Sequence, residues 1–451
     1  MSLNASRDSG EPAPAAGRPR RPADTRLPAA AFAAVMEIDG AHERPVSSDH
    51  DRCLTPQATL ERIRPHLASL GITRLGEITG LDSLGIPVAL ATRPNSFSLS
   101  VNLGKGRDAA SARASAAMEA AEIAVAERLP EDVIIGSLSE MALSGRAALD
   151  LGRIARCQPH RLDPDEPLLW VRGYSLFSGE AVMVPWALVG LDHRPAAPGY
   201  HDAFEVATDG LASGNLVAEA VLHGLCELVE RDAYAQLELM PAHKLNARRR
   251  GIQAAGPQLG GLLELIARRG LELRLFEMTS DIAIPAYFAI LSQGERDAGE
   301  FYSWSSLCGG CGCHPSPERA IIRAVTEAAQ ARIAMAAGAR DDLPPSHYQP
   351  GDRFMGKTAQ DMFGAAMRID GAGAQRDMPA WVTTNFGERI LHVLGALARV
   401  GIDEAIVVEL ASGPLEARVA RVIVPDLQIP LHGERTQVLS RALRHLLEAA
   451  R

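Results

Sequence analysis

At 451 residues, with 47% hydrophobic and 22% charged residues, the chain can bury a sizeable core and form two or three average domains or one large one. A net charge of −9 argues against a general nucleic-acid or membrane-surface binder, because both of those partners are polyanionic. Six cysteines at irregular spacing in so long a chain point to reduced thiols in a cytoplasm, not to a secreted disulfide framework.

Residues 1–45 are rich in Pro, Ala, Arg and Gly and carry neither a helical nor a strand period, so a disordered N-terminal tail is expected there. The apolar run Leu27–Met36 inside it is too short to span a bilayer and makes a poor signal peptide after Arg20, Arg21, Asp24 and Arg26. Thr55 is placed to cap a helix over Pro56–Leu70. Strand-like pieces at Ile86–Leu90 and Phe97–Val101 lead to a long helix over Ala109–Glu127. Extended runs at Leu168–Tyr174, Ala181–Val184, Leu271–Met278 and Ala286–Leu291 then alternate with helices at Asn215–Leu239, Gln258–Arg269 and Pro317–Ala337. A strand at Ala405–Leu410, a helix at Glu416–Arg421 and an amphipathic helix over Arg441–Arg451 complete the expected order. No fixed-period repeat is present. The mixture predicts an α+β or α/β fold, not an all-helical bundle.

Three of the helices carry acids where the neighbouring residues suit burial. On the first, Ser115, Glu119 and Glu122 fall within an arc of about 60° among alanines. On the second, Glu219, Glu227 and Glu230 lie within about 80° of one another, behind a start that Ser213 or Asn215 can cap. On the third, Arg323, Glu327 and Gln330 share a face. One such pair is ordinarily a solvated helix face. Three of them call for a cation to offset repulsion among partly buried carboxylates. Oxygen donors with few thiolates or imidazoles suit Mg²⁺ better than zinc.

Gly104-Lys105-Gly106 lies just before the first acidic helix and can bring backbone N–H groups and an ammonium to an anion, although a surface turn reads the same way. It is not a Walker A loop. Before the third helix, Cys308-Gly309-Gly310-Cys311-Gly312-Cys313-His314 resembles a zinc or iron–sulfur ligand set at first sight. The better reading is a glycine turn that brings backbone close to a nucleotide or a helix, with cysteine as a small residue within it. A sulfur-handling role for Cys308, Cys311 or Cys313 stays open. His223, one turn from both Glu219 and Glu227, reads equally as a site residue or a packed one.

Taken together, these segments resemble the YcaO family. The resemblance rests on Gly104-Lys105-Gly106 with Ser115-x-x-x-Glu119-x-x-Glu122, and on Thr208 to Asn215 running into Glu227-x-x-Glu230-Arg231. Its third part is Gly310-x-Gly312-x-His314-Pro315 running into Thr326 to Arg332, and it covers about residues 80–345 in conserved order and spacing. It implies an α+β fold with mixed β-sheets and long helices lining an ATP/Mg²⁺ site, in one catalytic domain over 46–451. It further implies an ATP-dependent enzyme acting on backbone amides of a ribosomally made peptide or protein. By position, Glu119, Glu122, Glu219, Glu227, Glu230 and Glu327 become metal-side residues. Lys105, Ser115, Ser213, Asn215, Arg231 and Gln330 become nucleotide or phosphate contacts, and Arg323 and Arg332 share that role undivided. One departure is Ile123, which stands where similar proteins often carry arginine after the second acid. One phosphate contact is then either missing or supplied elsewhere, with Arg113 and Arg107 as the candidates.

Members of the resembled family form azolines from Cys, Ser or Thr, or thioamides with external sulfide and a separate TfuA-like partner. The absence of a proline-rich C-terminal tail and of an evident leader-recognition module favours thioamide formation with a sulfur donor. Azoline formation is the close alternative, and a non-catalytic ATP-binding subunit is a third. Similar proteins are commonly homodimers, and neither nucleic acid nor membrane is expected as a partner.

Overall fold

The computed structural model describes residues 27–46, 51–194, 197–240, 244, 248–252, 257–292, 307–341, 384–410, 413, 415–430 and 436–450. Helices α1 (Ala29–Met36), α2 (Pro56–Ile63), α3 (Ala109–Ala126), α4 (Leu138–Leu143) and α5 (Val217–Glu238) are followed by α6 (Pro257–Arg268), α7 (Pro317–Ala337), α8 (Phe386–Arg399) and α9 (Ser440–Ala450). The strands form three antiparallel sheets. The first is β1 (Arg74–Glu77), β2 (Val88–Thr92) and β3 (Val101–Lys105), in that order. The second runs β4 (Ile134–Gly136), β5 (Leu168–Ser175), β12 (Ile406–Leu410), β13 (Arg418–Ile423), β7 (Leu211–Gly214), with β6 (Ala181–Pro185) also paired to β5. The third runs β11 (Leu307–Cys313), β10 (Ala286–Ser292), β9 (Glu272–Glu277), β8 (Arg249–Arg250). Segregated antiparallel sheets with long helices make this α+β, as expected.

The same local construction recurs in each sheet. An edge strand, β3, β7 or β11, runs directly into a long helix, α3, α5 or α7, that folds back against it. Glycines permit the close approach. A Cβ on Gly104 would stand 2.0 Å from Ala116 N, one on Gly310 2.2 Å from Ala328 N, and one on Gly312 2.0 Å from Ala320 O. No side chain larger than hydrogen fits at those three places. Small residues on the helices answer them, since Ala112, Ala116, Ala320, Ala324 and Ala328 are all fully buried. Helix α5 is central: Val221, Leu225 and Val229 pack in one apolar cluster with Phe288 of β10, Val422 of β13 and Ile390 of α8.

Several expectations are corrected. Residues 27–46 are folded: Ala31 and Val35 of α1 are fully buried, and Phe386 N and Gly387 N donate to Glu43 O and Ala41 O, so the run is a docked helix and not part of a tail. Residues 1–26 lie outside the described part. Thr55 caps α2 as expected, accepting from Ala58 N at 3.2 Å. The α-helix ends at Ile63 because Pro65 has no N–H to continue the ladder; Arg64 stays helical (φ −51°, ψ −45°) and the chain tightens into a 3-10 turn over Arg64–His66. Phe97–Ser100 is a loop, with Phe97 N and Ser98 N donating to Glu127 Oε1, and β3 begins only at Val101. The expected helix Glu416–Arg421 is replaced by strand β13, whose run Val419-Ala420-Arg421-Val422-Ile423 pairs with β12 and β7 on both edges. The expected glycine turn before α7 is likewise strand β11, in register with β10 from Leu307 to Cys313. Its alternation puts Gly310 and Gly312 against α7, while Cys311 and Cys313 enter the apolar cluster around α5.

Candidate ATP and magnesium site

The three acidic helices converge where the three sheet edges meet. Lys105 at the end of β3 reaches Glu327 on α7, Nζ to Oε2 at 2.6 Å, and Glu327 Oε1 accepts from Cys311 N at 3.2 Å. On α5, Arg231 stands 3.4 Å from Asp209, 3.6 Å from Glu227 and 3.8 Å from Glu230. Gly210 N donates to Glu227 Oε2 at 3.2 Å, an approach that its positive φ of 76° makes possible. Ser213 Oγ donates to Met118 O at 3.3 Å and so ties β7 to α3 beside Glu122. Gln330 Nε2 donates to Leu103 O at 3.4 Å across the outer edge of β3. Ser115 is half-buried on α3, one turn before Glu119.

The charges in this place are unbalanced. Burial pushes Glu119 and Glu227 up to about 7, each against an ordinary value of 4.5. Burial, then Glu227 and Glu119, raises Glu122 well above its ordinary value, and burial followed by Glu327 raises Glu230. For Glu327, burial is outweighed by Lys105 and Arg231, and its carboxyl is held below the usual value. Carboxylates from three helices therefore raise one another's pKa across a shared space, which is the condition a divalent cation relieves. Among the described residues, no three His, Cys, Asp or Glu side chains are close enough to hold one metal ion together. Mg²⁺ keeps several waters and takes phosphate oxygens beside one or two carboxylates, so this dispersed donor set fits it and does not fit zinc. Lys105 and Arg231 supply donors for phosphate in the same place.

Three of the predicted residues are held elsewhere. Both oxygens of Glu219 are engaged by main-chain groups: Cys53 N donates to Oε1, and Asn215 N to Oε2 at 2.7 Å. Asn215 Nδ2 adds a 3.3 Å bond to Oε2 and its Oδ1 accepts from Thr59 Oγ1 at 3.1 Å, so Glu219 and Asn215 orient the start of α5. Arg332 is buried with Nε 2.9 Å from both oxygens of Asp82, away from the acids. Arg323 does face the site, with Nη2 2.9 Å from His223 Nε2. Ile123 is 3% exposed and packs in the apolar cluster beneath α3. Arg113, one candidate substitute, pairs with Glu77 at 2.6 Å instead.

Three contributors were not singled out from sequence. Arg52 lies between α1 and α2, and its Nη1 donates to Ser213 O at 3.1 Å while Nη2 stands 3.0 Å from His223 Nδ1. His223 thus has a guanidinium at each ring nitrogen, and burial with Arg323 and Arg52 holds its pKa well below the ordinary value. A neutral imidazole can accept at only one nitrogen, so only one of the two guanidinium contacts is a hydrogen bond to the ring. Asp209 precedes β7 and completes the ring around Arg231. Arg421 of β13 is fully buried, donating to Val189 O and Asp209 O, and is a cation facing Glu122 and Glu227 from behind. Burial and neighbouring Arg156 push its own pKa down to about 9. An arginine inside the apolar run from Val419 to Val424 was its only sequence signal.

Residues 103–428 match the sequence model of one family, described as YcaO cyclodehydratase, ATP- and Mg²⁺-binding. The chain belongs to the YcaO family. An uncharacterized protein in the tfuA 3′ region of Rhizobium leguminosarum bv. trifolii is 43% identical over 401 residues, covering 88% of this chain and 93% of its own. An uncharacterized protein of Methanothermobacter thermautotrophicus is 32% identical over 384 residues, covering 84% and 96% respectively. Among solved structures, YcaO from Methanopyrus kandleri bound with AMPPCP and Mg²⁺ superposes with a TM-score of 0.66 at 24% identity, over 87% of this chain and 99% of that one. A heterocyclase in complex with substrate and cofactor superposes with a TM-score of 0.67 at 22% identity, over 85% of this chain and 53% of that one. The YcaO fold anticipated from the motifs is therefore the fold observed, and ATP and Mg²⁺ are the cofactors of the family. YcaO enzymes modify peptides in an ATP-dependent way, and no helix among the described residues is long and apolar enough to cross a membrane.

Proposed function

We propose that this YcaO protein activates a backbone amide of a peptide by O-phosphorylation and yields a thioamide, with a TfuA-like partner and a sulfur donor. The observation that carries the amide-activating reading is the convergence of buried, mutually raised carboxylates from α3, α5 and α7 around Lys105 and Arg231. ATP supplies the phosphoryl group that turns an amide oxygen into a leaving group, and Mg²⁺ offsets the charge that develops on it. Glu119, Glu122, Glu227, Glu230 and Glu327 are the residues that would hold the metal. Lys105, Arg231, Arg323 and Arg52 are the cations that would hold phosphate oxygens. The protein's own contribution is then position: the close approach of the glycine-bearing strands to α3 and α7 leaves the backbone that carries these side chains little room to shift.

The thioamide branch is supported by the relative in the tfuA 3′ region, at 43% identity over nearly the whole chain. The likeness to a heterocyclase favours the second reading, in which a neighbouring Cys, Ser or Thr side chain closes an azoline. Mass spectrometry of a candidate peptide incubated with the protein, ATP, Mg²⁺ and sulfide separates them. Exchange of one oxygen for sulfur is the expected result, whereas loss of one water establishes the azoline. ATP binding without any change in the peptide, under conditions that saturate both, would refute both readings and leave an accessory ATP-binding subunit.

A further inference from the structure

At His223 two guanidiniums compete for one imidazole. The residue projects from α5 one turn after Glu219 and one turn before Glu227, between an arginine of the segment before α2 and one of α7. Arg52 Nη2 stands 3.0 Å from ring Nδ1, and Arg323 Nη2 stands 2.9 Å from ring Nε2. Burial, followed by Arg323, Arg52 and Lys105, outweighs Asp51 and keeps the ring neutral. A neutral imidazole has one acceptor nitrogen and one N–H, whereas a guanidinium only donates. Both contacts are at hydrogen-bonding distance, so one is a bond and the other sets two N–H groups face to face. That conflict is relieved when the guanidinium at the protonated nitrogen turns away.

The two arginines are not equally free to turn. Arg52 is anchored a second time, because its Nη1 donates to Ser213 O at 3.1 Å. The chain beside it is pinned as well, with Cys53 N donating to Glu219 Oε1. The Arg323 guanidinium makes no second hydrogen bond or ion pair among the described residues. It lies one turn before Glu327, and although burial opposes its charge, Glu230, Asp51 and Glu327 among its neighbours outweigh that and keep it charged. Turning Arg52 away would break its tie to β7, whereas turning Arg323 breaks nothing but the contact with the ring. Which ring nitrogen carries the proton is set by the bond the other one makes. The proton therefore belongs on Nε2, facing Arg323, with Nδ1 accepting from Arg52. We propose that His223 is a positioning residue: held by Arg52 at Nδ1, its Nε2–H turns the Arg323 guanidinium from the ring toward the phosphate oxygens of ATP. Arg52 and Arg323 then act in series through the ring. Without a donor at Nδ1 the proton moves to that nitrogen, and Nε2 accepts from Arg323 and holds it off the phosphates. The task of Arg323 at phosphate rests on the function proposed above; the tautomer does not.

The test uses the full chain, isotope-labelled at its histidine ring nitrogens, whose NMR shifts report which of the two carries the proton. The signals of His223 are those missing from His223→Ala; if that variant does not fold, neutron diffraction from crystals of the wild-type protein locates the same proton. The ring is expected to be neutral with its proton on Nε2, both free and with Mg²⁺ and AMPPCP bound. A proton on Nδ1, or on both nitrogens, would overturn the assignment. Arg52→Met should move the proton to Nδ1 and weaken AMPPCP binding at least about tenfold, the worth of one charge-assisted contact. In a His223→Ala background the loss caused by Arg52→Met should shrink by at least about fivefold, because the link through the ring is gone. A loss of equal size in both backgrounds, or a ring proton that stays on Nε2 in Arg52→Met, would refute the coupling. A residue that serves only to pack would leave the ring proton of its neighbour in place. Failure of the wild-type chain to bind AMPPCP would sink the function proposed above but not the tautomer. Normal AMPPCP binding with the proton on Nδ1 would sink the role of His223 and leave that function standing.

Discussion

Gly310→Ala tests whether the sequence CGGCGCHP serves the site through its glycines or its sulfurs. The new Cβ would meet Ala328 N at 2.2 Å, Ala324 O at 2.5 Å and Glu327 C at 2.7 Å. All three are main-chain atoms of α7, so no side-chain rotation relieves the clash. Ordinary contact begins near 3.4 Å, and α7 must therefore withdraw from β11 by about 1.2 Å. Overpacking of this kind costs about 1–3 kcal/mol, which the large core survives with a lower melting temperature. The functional loss is larger, because Glu327 rides on the displaced turn and a misplacement of about 1 Å is worth roughly 100-fold in rate. ATP turnover with a competent peptide, alongside calorimetric melting, measures both effects. Cys313→Ala provides the comparison: its side chain points from the same strand into the apolar cluster on the other face. A small cavity there costs about 1 kcal/mol and leaves turnover close to the wild-type rate. Wild-type turnover in Gly310→Ala, or an equal loss in Cys313→Ala, would show that the close approach of β11 to α7 is not what the site requires.

Glu230→Gln keeps the shape of a buried side chain facing Arg231 and Glu327 but removes its charge, and ATP turnover should fall at least ~100-fold with melting little changed; unchanged turnover would remove Glu230 from the metal site. Mg²⁺ should bind more tightly as pH rises from 6.5 to 8, because Glu119 and Glu227, pushed up to about 7, must lose protons before they bind metal. Without metal, the same two groups bind protons more tightly folded than unfolded. Their stabilising contribution is complete below 4.5 and is lost as pH rises through about 7. His223 and His314, held neutral by burial, act in the opposite direction only up to about their ordinary value of 6.5. The metal-free protein should therefore lose thermal stability between pH 6.5 and 8, and Mg²⁺ should restore it; a flat or rising profile would contradict the raised pKa values.

Much of the site was legible because helical periodicity is local. Glu119 with Glu122, and Glu227 with Glu230, share a face by spacing alone, and the long helices that carry them begin and end within a few residues of expectation. The less regular elements were misread where tertiary partners override local pattern. Glu416–Arg421 has enough charge to resemble a helix, but its β-branched stretch is claimed by β12 and β7 on either side. Residues 27–46 look like a tail by composition, yet α8 and the start of α5 give their few apolar residues a surface to bury against. Glu219 and Arg332 sit in the right motifs, and only the fold reveals that main-chain N–H groups and Asp82 hold them.

By itself, the sequence determined which helices carry acids, that glycines precede them, and hence the family and its ATP and Mg²⁺ chemistry. Those properties depend on residue type and on a repeat of 3.6 residues, both of which exist before the chain folds. The tertiary structure alone decided which of the acids face one another and that a buried arginine from β13 stands behind them. It also decided that Arg52, His223 and Arg323 meet, and that Asp51, His314, Arg319 and Arg389 gather beyond them. These groups come from segments up to several hundred residues apart, and their charges matter only once burial removes the water that screens them.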